Sequence, residues 1–401
     1  MNPLRKLFCR TYQLGFRIAI PALPYREPKQ IEGFENVAPV LAEKHIHRVL
    51  LVTDPGVFSL GLTKPLEKYL TDAGIGVSIY KDTCANPTFT NVEEARELYL
   101  KDGCEALIAF GGGSAMDCAK AAGARISHPT WSLLRIKGNL HLIHNIPLLI
   151  AIPTTAGTGS ETTLAALVTD EKTHRKYCIN DFHLIPDYAV MEPRVTTGLP
   201  PHLTASTGMD AMTHAVEAFI GQSTTPGTRK AAIQAIRLIM RNLPKAYHNG
   251  QDLKARSHML HASYLAGTAF TKSYVGYVHS LAHSLGGMYG TPHGLANSVL
   301  LPIVLEEYGP AAHKKLARLA RSVGLVSENL PVPDEQAAQV FIDKIRDLNK
   351  ELNIPDKLPG IREEDIPILA KNADKDGNPL YPVPVLWDIK KFEEILRMVR
   401  E

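Results

Sequence analysis

Cysteine and tryptophan are scarce in this chain, with five and two copies among 401 residues. The cysteines, Cys9, Cys84, Cys104, Cys118 and Cys178, are odd in number, widely spaced and form no C-x-x-C pair. That excludes a disulfide scaffold and a thiolate zinc site, and implies a reducing, cytoplasmic compartment. A surplus of one charge is also lacking: 44 Lys and Arg stand against 41 Asp and Glu, net +3 at pH 7. Such a balance leaves no electrostatic footprint for nucleic acid as a bulk partner. No apolar run approaches the roughly 18 residues that a membrane-spanning helix needs. Internal repeats and low-complexity tracts are absent. With 45% hydrophobic and 21% charged residues, the composition is that of a folded globular protein, which excludes disordered, collagenous and coiled-coil classes. At ~100–200 residues per domain the length predicts two or three domains.

The start of the chain is basic: Arg5, Lys6, Arg10, Arg17, Arg26 and Lys29 are opposed only by Glu27. The apolar stretch 16–24 is too short for a secretory signal, carries Arg17 and is broken by Pro21 and Pro24. The segment reads as a strand or arm packed on the body at a subunit contact, without stable membrane association.

Residues 30–195 alternate apolar runs with helical patterns. Strands are predicted over 48–54, 77–80, 105–110 and 147–152, and helices over 63–73, 91–101 and 114–125. Apolar runs that are continuous rather than alternating indicate a parallel sheet covered on both faces. Residues 164–179 alternate and read as a hairpin. Beyond Pro193 helical spacing prevails, over 206–221, 226–242, 253–285 and 336–352. The turn-rich stretch 196–201 marks the boundary. An α/β half, 1–195, followed by an all-α half, 196–401, is the predicted architecture.

Two loops in the first half and one set of side chains in the second carry chemistry. A predicted strand runs into Gly111, Gly112 and Gly113 and then into a helix, an arrangement that brings backbone N–H groups and a helix N-terminus against phosphates. Residues 153–161 follow another buried strand and supply Thr154, Thr155, Thr158 and Ser160 with two glycines. In a parallel sheet both loops leave the carboxyl ends of strands, where ligands bind. Asp54 ends the first of these strands. An acid there can accept from the ribose hydroxyls of NAD and repel a 2′-phosphate, and Asp-Pro-Gly is equally a turn or helix-cap sequence.

In the second half Asp210 and His214 are four apart and share one helix face. His279 and His283 repeat that spacing, and His293 follows in a loop before another helix. A carboxylate and imidazoles in this pattern grip a divalent cation between helices, and with no thiolate the ion is catalytic rather than structural. His258 and His261 read as ordinary surface or core residues.

At residues 111–117, 153–161, 208–217 and 279–294 the sequence resembles the iron-containing (group III) alcohol dehydrogenase family. Residues 86–92 and 199–201 look like further family segments. The resemblance implies a Rossmann-like α/β domain and a helical metal-binding domain, the architecture shared with dehydroquinate synthases. Position by position, it implies Asp210, His214, His279 and His293 as metal ligands. It implies His283 as a proton relay near the nicotinamide. For the cofactor it implies Gly112, Gly113 and Ser114 at the pyrophosphate, Thr154, Thr155 and Thr158 lining it, Lys176 near the ribose, and Asp117 among the cofactor-binding residues. Ala115 stands where the family often has proline, and losing a pre-set φ costs little there. The implied activity is NAD(H)-linked alcohol dehydrogenase or aldehyde reductase on a small primary alcohol. NADP(H) is disfavoured, Fe2+ or Zn2+ serves as the ion, and the chain forms a homodimer or larger homo-oligomer. The implied ion would polarise the alcohol oxygen and lower its pKa, so that hydride could pass to the nicotinamide.

Three alternatives use the same features: a glycerol dehydrogenase, a dehydroquinate synthase and a cofactor-free metal hydrolase. A dehydroquinate synthase would need clustered Lys and Arg for a carboxylated sugar phosphate. The motif windows instead hold Met209, Met212, Phe219, Met288 and Tyr289, read as the lining for a small uncharged substrate. A hydrolase leaves both glycine loops without a role.

Overall fold

The computed structural model describes residues 1–173 and 175–401, which divide into two compact units, Pro24–Gly198 and Met1–Leu23 with Leu199–Glu401. The first unit holds the strands β1 (Lys29–Glu32), β2 (Arg48–Val52), β3 (Gly76–Tyr80), β4 (Ala106–Gly111), β5 (Gly138–Asn139), β6 (Leu148–Pro153), β7 (Ala165–Asp170), β8 (Arg175–Asn180) and β9 (Tyr188–Met191). Six of them form one parallel sheet in the order β1-β9-β6-β4-β2-β3. Alternate residues of its central strands enter two separate cores. Leu50, Val52, Leu107, Ala109 and Leu149 pack with Val92, Ala95 and Tyr99 of helix Phe89–Lys101 and with Met116 and Ala119 of helix Gly113–Ser127. Val49, Leu51, Ile108, Phe110 and Ile150 pack with Leu41 of helix Val37–Glu43 and with Leu66 and Leu70 of helix Lys64–Asp72. Burial on both faces is why these strands carry no polar alternation. Each fully buried Val, Leu, Ile, Phe or Met among them contributes ~1.5–3 kcal/mol. The predicted hairpin is β7–β8, antiparallel, in a smaller sheet ordered β5-β8-β7.

The second unit is helical. Its central helix, Pro201–Ile220, is buried at every position from Gly208 to Ile220. Helices Pro226–His248, Leu253–Ser273 and His293–Glu307 pack around it. An added Cβ at Gly208 would lie 2.4 Å from Leu243 Cδ1, so the crossing with helix Pro226–His248 requires glycine.

Two expectations are corrected here. The run 253–285 is not one helix: it breaks after Ser273, and a new helix, Tyr277–Tyr289, begins behind Gly276. The first residues are neither a strand nor part of the α/β unit, but a helix, Pro3–Ala19, with Asn2 as its N-cap. It is anchored by polar groups that periodicity does not report. Arg10 donates to the carbonyls of Val383 and Pro384, and buried Gln13 to those of Pro379 and Tyr381. Leu4, Leu7, Phe8, Leu14 and Ile18 remain more than half exposed. Among the described residues no helix is long and apolar enough to cross a membrane.

Candidate active site

In the α/β unit β4 lies between β2 and β6, so the segments after Val52, Gly111 and Pro153 emerge side by side. The chain turns from β2 towards β3 and from β4 towards β6, and such a reversal opens a crevice at the carboxyl ends of the strands. At Gly111 an added Cβ would meet Ala115 Cβ at 2.7 Å, so only glycine lets β4 enter helix Gly113–Ser127 this tightly. Cβ positions built on Gly112 and Gly113 lie 3.8 Å from Thr155 Oγ1 and 3.4 Å from Thr158 Cγ2, so the two loops adjoin. Thr154 N–H donates to the Gly111 carbonyl at 3.0 Å and extends the strand pairing into both loops.

Asp54 has two uses. Oδ1 accepts from Val57 N–H at 2.9 Å and caps helix Pro55–Ser59, while Oδ2 lies 3.3 Å from the Cβ position of Gly111. The structure thus gives Asp54 the cap role and also sets it beside the glycine turn. Ser114 Oγ accepts from Asn86 N–H at 3.3 Å, and Lys176 Nζ donates to Asn86 Oδ1 at 2.7 Å. Asn86 therefore links Lys176 to the glycine turn, and burial pulls the Lys176 ammonium below its ordinary range. Asp117 accepts from Ser160 Oγ at 3.3 Å and from Leu167 N–H, and burial pushes its carboxyl up to about 6.

Sequence reasoning missed Lys120. Its wholly buried Nζ lies within 3.2 Å of the carbonyls of Ser160, Thr163 and Ala165 and the hydroxyls of Ser160 and Thr163. Burial pulls it down to about 8, against the pull of Asp117 and Glu161, and a cage of oxygen acceptors suits the charged ammonium. A lysine in an alanine-rich helix gives no signal of this in sequence.

The helical unit gathers donors. One ligand atom each from Asp210, His279 and His293 lies within 4.8 Å of the others, with Asp210 Oδ1 3.9 Å from His279 Nε2 and 3.5 Å from His293 Nε2. His214, one turn on from Asp210, stacks on His279 with ring centroids 4.5 Å apart and on Phe270 at 4.1 Å. Gly294 makes the approach possible, since a Cβ there would come within 2.4 Å of the Ser206 carbonyl oxygen. Asn297 adds an amide that donates to Asp210 Oδ1 at 2.7 Å.

Glu217, the last residue of the 208–217 segment, organises the set. Its Oε2 accepts from His279 Nδ1–H at 2.6 Å and from Gly276 N–H at 2.7 Å, and its Oε1 from Val278 N–H at 2.8 Å. It thereby supplies the N-terminal cap that Gly276 cannot give helix Tyr277–Tyr289. Burial pushes Glu217 up to about 8, but with three donors turned on it the group acts as the carboxylate. Burial, and then the neighbouring His214, His293 and His283, push His279 well below its ordinary range. A neutral His279 whose Nδ1–H points at Glu217 turns the Nε2 lone pair towards Asp210 and His293. A buried carboxylate oxygen facing imidazole lone pairs suits Fe2+ or Zn2+.

His283 lies outside that donor set. It stacks on His293 with centroids 5.3 Å apart, and its Nδ1 donates to Asp376 Oδ2 at 2.9 Å, which also accepts from Tyr381 Oη at 3.1 Å. The apolar lining read from sequence is corrected: Met209, Met212 and Phe219 are at most 1% exposed and belong to the interior. His258 pairs with Asn242 Oδ1 at 3.0 Å.

The chain belongs to the iron-containing alcohol dehydrogenase family: the profile described as "Iron-containing alcohol dehydrogenase" matches residues 30–193, and the one described as "Fe-containing alcohol dehydrogenase family, C-terminal" matches residues 204–398. It is 39% identical over 386 residues to a 1,3-propanediol dehydrogenase of Citrobacter freundii, covering 95% of this chain and 98% of that one. It is 38% identical over 332 residues to an NAD-dependent methanol dehydrogenase of Bacillus methanolicus, covering 82% and 86%. A crystal structure of a 1,3-propanediol oxidoreductase superposes with a TM-score of 0.89 at 37% identity, over 94% of this chain and 99% of that one. Membership sets aside the cofactor-free hydrolase.

Proposed function

We propose that the chain interconverts a small primary alcohol and its aldehyde with NAD(H), using one divalent cation per chain, Fe2+ or Zn2+. The observation that carries this reading is the convergence of Asp210, His279 and His293 in a chain whose other unit turns from strand to helix through three glycines. In this reading Asp210, His214, His279 and His293 hold the cation, whose Lewis acidity would polarise the alcohol oxygen. Glu217 fixes the tautomer of His279. Gly112, Gly113 and Ser114 serve the pyrophosphate, Thr154, Thr155 and Thr158 line the cofactor, Lys176 serves its ribose, and Asp117 supports the cofactor loop through Ser160. The α/β unit thus takes the cofactor and the helical unit the cation. The five free thiols support a reducing, cytoplasmic location. The exposed apolar stripe of helix Pro3–Ala19 supports a homodimer or larger homo-oligomer, whose second copy would cover it. Neither nucleic acid nor a stable membrane contact has a place in this reading. An alcohol and aldehyde panel followed at 340 nm, with metal analysis of anaerobically purified protein, tests it. Absence of nicotinamide-linked turnover across the panel would overturn it.

His283 is proposed as the proton relay. With Nδ1–H donated to Asp376, Nε2 is the ring's free base. His283→Gln should keep the metal while turnover falls ~10²–10⁴-fold and its pH dependence changes. A His283→Gln protein with the wild-type pH–rate profile removes the relay.

NAD(H) is proposed over NADP(H) because Asp54 stands beside the glycine turn. Glycine costs only a few tenths of a kcal/mol at an N-cap, so Asp54→Gly isolates the charge. The ratio of kcat/KM for NAD over NADP should drop at least about tenfold, since unit charges ~6 Å apart at an effective dielectric near 20 interact by more than ~1.4 kcal/mol. A wild type that prefers NADPH refutes the assignment.

A further inference from the structure

Asn297 lies one turn after His293 on helix His293–Glu307 and is wholly buried. Its Nδ2 stands 2.7 Å from Asp210 Oδ1, 3.1 Å from His293 Nε2 and 3.3 Å from His279 Nε2. These residues are the convergent donor set. An amide nitrogen carries two hydrogens, so it cannot serve three acceptors at full strength. The other end of the same amide, Oδ1, is buried with no hydrogen-bond partner. One end is therefore oversubscribed and the other idle, and a buried idle carbonyl carries a desolvation penalty. Packing alone gives no reason for asparagine here, because leucine has a similar shape and leaves no carbonyl unsatisfied.

A cation resolves both ends. Once its charge occupies the lone pairs of the three donor atoms, N–H dipoles aimed at the same space are repelled. A half-turn of the amide exchanges Nδ2 for Oδ1 with almost no change of shape, and the idle carbonyl then points towards positive charge. We propose that Asn297 is a further member of the metal centre. Its N–H group holds the three donor atoms together in the metal-free chain, and its carbonyl oxygen turns to the cation on binding. This rests on the reading of Asp210, His279 and His293 as ligands. Aspartate could not hold the metal-free set, since two carboxylates would face each other at the Asp210 contact. Leucine could do neither task.

The test uses full-length wild type, Asn297→Leu and Asn297→Asp, stripped by chelation and titrated with Co2+. Visible absorption and a competing chelator give the spectrum and affinity, and denaturant midpoints are recorded with and without metal. Asn297→Leu should bind Co2+ ~10–100-fold more weakly than wild type, with shifted absorption bands. Asn297→Asp should bind at least as tightly as wild type, yet its metal-free form should unfold at lower denaturant. An Asn297→Leu protein with wild-type affinity and spectrum overturns the proposal. An Asn297→Asp protein that binds more weakly than wild type does the same, and it decides the matter alone if the leucine variant does not fold. Wild type that takes up no Co2+ overturns the ligand reading itself, and the proposal with it.

Discussion

Alanine in place of His293 or His279 should remove metal and turnover together. The two variants differ in what else they disturb. His293 is 39% exposed at its side chain and its helix starts behind Pro292, so trimming it leaves the interior intact. His279 is 2% exposed, stacks on His214 and is held by Glu217, so its loss opens a cavity as well. His293→Ala is therefore the cleaner variant. It should fold with a near wild-type denaturation midpoint after metal is removed from both proteins, retain substoichiometric metal by elemental analysis, and lose turnover ~10³-fold or more. That magnitude follows from the several kcal/mol of transition-state charge stabilisation that a bound cation supplies. A metal-free His293→Ala protein with full alcohol-dependent turnover would falsify the assignment of the cluster.

What sequence revealed and what it hid follow from the range of the interactions. β2, β4 and β6 were legible because both faces are buried, so every residue after the exposed Arg48 that opens β2 is apolar. The i, i+4 pairs Asp210/His214 and His279/His283 were legible because helical spacing is local. The start of helix Phe89–Lys101 fell two residues before the expected Asn91, because Asn91 is the far half of a capping box whose near half is Thr88. The helix at the N-terminus was hidden because it is held by Arg10 and Gln13 bonding to carbonyls far along the chain. Lys120 and Asn297 sit among alanines and aliphatic residues, where a single polar residue reads as an interruption of a buried helix. Asp376 is 93 positions from His283, so the pair has no local signature.

Glu217 illustrates the same limit and leads to the second large effect. A glutamate one turn after His214 reads as one more residue of the motif, yet it spans 59 positions to Gly276 and closes the break between two helices. Its carboxylate does in one place what a side-chain N-cap and a histidine partner would do separately. Gly276 is required for this, because a Cβ there would lie 2.6 Å from Glu217 Oε1. Glu217→Ala would leave the N–H groups of Gly276 and Val278 and the Nδ1–H of His279 buried and unpaired. Each such group costs ~1–3 kcal/mol, and breaking a buried charged network costs ~3–5 kcal/mol. Relative to ~5–15 kcal/mol for a whole protein, that is a large share. Glu217→Ala should lower the urea midpoint of the metal-free protein sharply, and what folds should bind metal ~10–100-fold more weakly as His279 loses its orientation. Glu217→Gln separates the two effects. One amide oxygen can still accept from the backbone, so helix Tyr277–Tyr289 keeps part of its cap, but the NH2 opposes one of the three donors. If it opposes His279, the ring turns its tautomer and presents Nε2–H to the cation. The glutamine protein should then recover most of the stability and little of the metal affinity. Recovery of both to wild-type values would show that Glu217 serves the helix break alone.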